Sequence, residues 1–212
     1  MMNNINFYIN KYFEGMEEGV PIFSSDIRDF VLHKMPNANP IVINEYINRF
    51  ERKNEYFSRF QKGIYFKSKN TVFGKTLINM SLLQKRLYLE DNGEIFGYET
   101  GPSLINRLGL TTQLPKYKYY ATNKIRSKKI SDSIQLIKPV IEVTKENFKY
   151  LQILDIISNK YKVNIEVDNY NEIIIEIMQK NNLTYEKLLF YSTFYNDNEI
   201  FRRIAFLTRK GE

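Results

Sequence analysis

Apolar side chains recur at helical spacing from the start of the chain: Ile5, Phe7, Tyr8, Ile9, Tyr12 and Phe13 form one wide face before Gly15 and Gly19 interrupt it. The pattern predicts a first helix ending near Met16. Pro21 and the cluster Ser24-Ser25-Asp26 mark a second helix start, with Ile27, Phe30 and Val31 at i, i+3 and i+4 as its core stripe. Asn39 is placed to cap a third helix whose first position is Pro40, where a missing N–H costs nothing. Ile43, Tyr46, Ile47 and Phe50 share one face of that helix, leaving Asn44, Asn48 and Arg52 opposite and Arg49 at the border. Two aromatic-rich alternating segments, 56 to 60 and 64 to 67, joined through Lys62-Gly63, read as a hairpin. Helices followed by a hairpin in this order make a winged helix-turn-helix.

Downstream, residues 71 to 90 read as a connector and helix with Leu77, Leu82, Leu83 and Leu87 apolar. Strands are expected at 94 to 100, 117 to 122 and 134 to 143, the last containing Pro139 and therefore edge-like. A helix at 103 to 109 is stopped by Gly109 at its C′ position. Further helices are expected at 145 to 160, 169 to 181, 184 to 195 and 198 to 208, with Asn169 and Glu172 as a capping-box-like start and Thr184 as a cap. The expected fold class is α+β, an N-terminal winged helix-turn-helix (1–75) followed by a mixed α/β domain with a small sheet and a helical C-terminus (76–212).

Composition narrows the chemistry. Among 212 residues there is no Cys and a single His, which removes disulfides, thiolate chemistry, His-rich metal sites and an ordinary Ser-His-Asp triad. No cofactor or metal is expected. Neither a secretory signal nor an apolar run long enough to span a membrane is present, so a cytoplasmic protein without a membrane partner is expected. The net charge of +7 is concentrated: residues 49 to 75 hold eight basic and two acidic side chains, and residues 107 to 138 hold eight and one. A polyanion is the simplest partner able to use both stretches, against the alternative of a solvated, lysine-rich surface.

The first basic stretch coincides with the third helix and the hairpin, the two elements a winged helix brings to the major groove and the phosphate backbone. Candidate DNA-binding residues are therefore Asn44, Asn48, Arg49, Arg52, Lys53, Arg59, Lys62, Lys67 and Lys69. Other candidates carry less. Gly74-Lys75-Thr76 lacks the glycine five positions earlier that a phosphate loop needs, since position 69 is Lys. Glu166 and Asp168, two apart on a strand-like segment, would share a face and could hold a divalent cation, or simply lead into a helix cap. Glu172 and Glu176 read as a wet helix face, and His33 as a partner of its helix C-terminus.

Residues 96 to 123, FGYETGPSLINRLGLTTQLPKYKYYATN, resemble the core motif of the AbiEi-type abortive-infection antitoxins and related antitoxin-like regulators. There a strand, a Gly-containing turn, a helix ending in LGLTTQ and a Pro lead to a strand ending in TN. Thr100, Gly101, Leu108, Gly109, Leu110, Thr111, Thr112, Gln113 and Pro115 carry the match. Gly63-Ile64-Tyr65 followed by Phe73-Gly74 fits the family's aromatic wing. The resemblance implies a non-enzymatic type IV antitoxin of a phage-defence operon. Its winged helix would repress the operon by binding double-stranded DNA of its own operator, expected to hold inverted repeats. Its C-terminal domain would counter a nucleotidyltransferase-like toxin, with or without direct contact. The motif threonines and Gln113 read as groups that hold a tight turn. After them Lys116, Lys118, Lys124, Arg126, Lys128 and Lys129 form a second basic patch interleaved with Tyr117, Tyr119 and Tyr120, either a nucleic-acid surface or tyrosines of a core strand. A small nucleotide- or RNA-processing enzyme using the carboxylate pair and a winged-helix protein adaptor are the alternative readings.

Overall fold

The computed structural model describes residues 2–72, 74–127, 129–159 and 161–210. The chain is α+β and divides into two compact units, residues 1–84 and 85–212. The division between the units lies between Gln84 and Lys85, within the helix expected in residues 71 to 90.

In the N-terminal unit, α1 (Met2–Glu14) buries Ile5, Ile9 and Phe13, one face at i, i+4 and i+8. A short strand, β1 (Pro21–Phe23), follows, which the brief apolar run PIF hid from periodicity. α2 (Ser24–Lys34) starts at the expected serines, but its cap is Asp26, whose carboxylate accepts from the Phe23 N–H at 3.2 Å. α3 (Pro40–Lys53) begins as expected, the Asn39 side chain accepting from the Ile41 N–H at 2.9 Å. β2 (Phe57–Gln61) and β3 (Ile64–Lys67) form the hairpin, and β1 adds to β3 in an antiparallel sheet of order β1-β3-β2. Phe57, Tyr65 and the inner faces of the helices make one core, with Phe13, Phe50 and Phe57 meeting edge to face. The Ser24 N–H donates to the Gly63 carbonyl at 2.9 Å, tying the start of α2 to the hairpin turn.

Two residue pairs, β4 (Asn70–Thr71) and β5 (Gly74–Lys75), make a further small antiparallel ladder, and α4 (Met80–Tyr88) crosses the boundary between units. The apolar face expected there holds at Leu83, which is buried, and at Leu87, which is partly buried; Leu82 is 38% exposed, and Leu77, which precedes the helix, is 81% exposed.

The C-terminal unit opens with a hairpin of β6 (Glu90–Asp91) and β7 (Glu94–Ile95) turning at Asn92-Gly93. The single strand expected at 94 to 100 is thus two, because β8 (Gly97–Thr100) leaves that hairpin to join a different sheet. Between them Gly97 permits a close approach: a Cβ there would lie 2.1 Å from the Tyr88 carbonyl oxygen. α5 (Gly101–Arg107) follows, then β9 (Lys118–Thr122) antiparallel to β8, and β10 (Ile134–Ile137) parallel to β9 at the sheet edge. β10 stops before Lys138-Pro139, so Pro139 shortens the expected strand. One sheet face packs Tyr98 and Ala121 against Val143 and Leu151, the other packs Tyr120 and Ile134 against Tyr88. α6 (Phe148–Ser158) is buried almost all round, and α7 (Tyr170–Lys180), α8 (Tyr185–Ser192) and α9 (Asn198–Lys210) close the core over it through Ile174, Leu188 and Ile204. Thr184 caps α8 as expected, its hydroxyl accepting from the Lys187 N–H at 3.3 Å. Asn169 occupies the cap position of α7 without a side-chain cap bond, so the expected capping box does not form.

Candidate nucleic-acid interface

The core positions of α3 fix what its other side presents. With Ile43, Tyr46 and Ile47 buried, the row Ile41, Glu45, Asn48 and Arg52 faces outward, and Asn44 lies half-buried beside it. Ile41 is 68% exposed. It stands on the polar face, which counting only the apolar stripe overlooks and a full helical wheel reveals. Asn48 accepts a hydrogen bond from the Tyr65 hydroxyl at 3.4 Å, so a hairpin residue orients it. Arg49 lies 3.8 Å from Glu45 and 5.3 Å above the Tyr46 ring, both partners of the ion pair being exposed, so its charge is only loosely engaged. Arg52, Lys53, Arg59 and Lys62 are exposed, and among the described residues none of them pairs with a carboxylate.

Two predicted phosphate contacts have internal work. The Lys67 ammonium donates to the Glu14 and Met16 carbonyls at 3.4 and 3.2 Å and sits over the Phe13 ring, closing the C-terminal end of α1. Lys69 lies 3.7 Å from Glu18. An alternating basic pattern along a hairpin does not tell which lysines bend back onto their own chain.

The second patch is dispersed. Lys116, Lys118, Lys124, Arg126 and Lys129 are exposed; Lys128, like Phe73 of the wing pattern, lies outside the described residues. Lys124 stands 3.4 Å above the Phe96 ring and Lys129 donates to Gln135 at 2.9 Å. Tyr120 is a core residue stacked on Tyr88 at 5.4 Å, and burial pushes its phenol up to about 12. Tyr117 and Tyr119 are half-buried, with Tyr119 against Tyr161. Tyr120 therefore follows the core-strand reading, and only Tyr117 and Tyr119 offer ring surface.

The motif residues hold the chain together. Gly109 adopts φ 72° and ends α5. Asn106, from that helix, donates to the carbonyls of Thr111 and Gln113, each at 3.1 Å, and the Thr111 hydroxyl accepts from the Gln113 N–H at 3.3 Å. Leu110 is fully buried and Leu108 packs against the same core, whereas Gln113 is exposed and Pro115 half-exposed. Gly101 opens α5 with the Tyr119 ring against it. Thr100 reaches further than the turn: its hydroxyl donates at 2.8 Å to Asp155 of α6, which also accepts from Tyr98 at 3.1 Å and from Tyr195 at 2.8 Å. Asp155 is 7% exposed, and burial first, with the Asp155 charge second, drives the Tyr98 and Tyr195 phenols far above their ordinary value.

No protein-family model matches the chain, and no curated protein does.

The carboxylate pair is not arranged as expected. Residues 163–167 form no strand, and Glu166 is committed to Thr112, accepting from its N–H at 2.7 Å and its hydroxyl at 2.6 Å. These bonds hold the Glu166 carboxyl below the usual range, the hydroxyl first and the amide second. Glu172, Glu176 and His33 are exposed, His33 in the last turn of α2. Among the described residues no group of three or more His, Cys, Asp or Glu could hold a metal ion, and no helix is long and apolar enough to cross a membrane.

Proposed function

We propose that this chain is a cytoplasmic, non-enzymatic antitoxin that represses its own operon, with the N-terminal unit acting as a winged helix on double-stranded DNA. The observation that carries the DNA-binding part is the outward side of α3 with the adjoining hairpin. Its cations Arg52, Lys53, Arg59 and Lys62 are exposed and carry no carboxylate partner among the described residues, and Asn48 is oriented between them by Tyr65. On this reading α3 enters the major groove with Ile41, Asn44, Asn48 and Arg52 toward base edges, Ile41 suiting a thymine methyl. Arg49, Lys53, Arg59 and Lys62 meet phosphates. The antitoxin part rests on the resemblance of residues 96–123, and it assigns protection against a nucleotidyltransferase-like toxin to the C-terminal unit.

Binding to the DNA upstream of the chain's own gene over a salt series tests the reading. With about four phosphates neutralised, affinity should fall roughly 150-fold between 50 and 200 mM salt. A flat salt response, or no preference over random DNA, rejects it.

A further inference from the structure

The C-terminal unit contains a cavity of about 500 Å³ between β8, α5, α6 and the end of α7. That is the size of a small-molecule site. Its accessible apolar lining is Ile95, Leu108, Phe148 and Ile177, each half-buried, while Leu104, Ile153 and Ile156 are buried. Its charged lining is Arg107, Lys149 and Lys180 against Glu90 and Glu99, and Glu90 is paired with Lys85 at 2.8 Å. Arg107 is steadied by Glu99 at 2.7 Å, and Glu99 in turn has its carbonyl held by the Gln152 amide at 2.8 Å.

Lys149 stands out. It is half-buried, in the first turn of α6, where the helix dipole opposes a cation. Burial first, and the charge of Arg107 second, hold its ammonium below the ordinary lysine range. Among the described residues no carboxylate pairs with Lys149 or with Lys180. A doubly charged anion between Arg107 and Lys149 would relieve that repulsion. Inorganic phosphate would leave most of the volume empty and the half-buried apolar lining uncovered. The Gln152 and Asn181 amide nitrogens are spent on backbone carbonyls, leaving an amide oxygen on each as an acceptor at the rim.

We infer that this cavity binds an organic phosphate of mononucleotide size, the phosphate against Arg107 and Lys149 and a flat ring against Leu108, Phe148 and Ile177. The inference does not depend on DNA binding by the other unit.

Calorimetric titration of the full chain with adenosine monophosphate, adenosine and inorganic phosphate tests it. The nucleotide should bind with Kd below about 1 mM. Adenosine and inorganic phosphate should each bind at least about tenfold more weakly, since each keeps one half of the contacts. Lys149→Met should weaken the nucleotide by about tenfold or more, the loss of one charged hydrogen bond. Arg52→Ala, in the N-terminal unit, should change nothing. Ile177→Trp, which narrows the same cavity from α7, should also abolish binding and serves if Lys149→Met fails to fold. The inference is overturned if adenosine, guanosine, cytidine and uridine monophosphates all give no heat. It is equally overturned by a nucleotide no tighter than inorganic phosphate, by full affinity in folded Lys149→Met, or by loss in Arg52→Ala.

Discussion

Asp155 is the residue on which the C-terminal unit turns. A carboxylate this deeply buried needs donors, and the hydroxyls of Tyr98, Thr100 and Tyr195 donate to it; each one removed leaves part of its charge unsolvated. Thr100→Val, which keeps the shape and deletes one donor, should lower stability by about 1–3 kcal/mol in denaturant titrations. Tyr98 and Tyr195 have folded pKa values raised above the 10.0 of an ordinary phenol. Their contribution is therefore complete below pH 10 and lost as pH rises beyond it, where only the unfolded chain ionises freely. Alkaline melting curves should steepen above that point, and Tyr195→Phe should reduce the slope. Glu166 works in the opposite sense. Its folded pKa is lowered from 4.5, so its bonds to Thr112 stabilise above that pH and fail as pH falls through the folded value. Acid melting of Glu166→Gln should be flatter than that of the parent; identical slopes would mean the Thr112 contact is not made in solution.

Among the elements, α3 and the hairpin concentrate the DNA-binding hypothesis. Arg59→Ala and Lys62→Ala should weaken operator and random DNA alike, because phosphate contacts carry no sequence. Asn48→Ala or Arg52→Ala should cost about 1–3 kcal/mol on the operator and much less on random DNA. Lys67→Ala should leave DNA affinity nearly intact and cost about 1 kcal/mol of stability, since its ammonium serves the end of α1. Equal losses across all these variants in gel-shift assays would reject the placement. These elements were also the most legible. Asn39-Pro40 and Thr184 announced their helices because a cap is a local bond between a side chain and a backbone two or three residues away. Ladders such as β1 against β3 were not legible, since Pro21 meets Phe66 across a separation no local pattern encodes. The same holds for the candidate site: the outward placement of Asn48 and Arg52 on α3 could be read from spacing, whereas the capture of Lys67 by α1 and of Glu166 by Thr112 depends on tertiary approach.

At the scale of the molecule, each unit has its own core, and the proposed activities are assigned to different units. Full-length Arg52→Ala/Arg59→Ala should therefore lose promoter repression while still rescuing cells from the cognate toxin, scored by reporter output and growth. Joint loss of both would place protection in DNA binding. The Asp155 cluster also carries a consequence for how long the C-terminal unit stays folded. Its donors lie 57, 55 and 40 residues from it along the chain, so closing those loops early would cost entropy before any packing offsets it. On that ground the contacts of the cluster are expected to form after the barrier to folding has been crossed. Losing one should leave the refolding rate of the unit almost unchanged and shorten the lifetime of its native state, so the cluster acts as a latch against spontaneous opening.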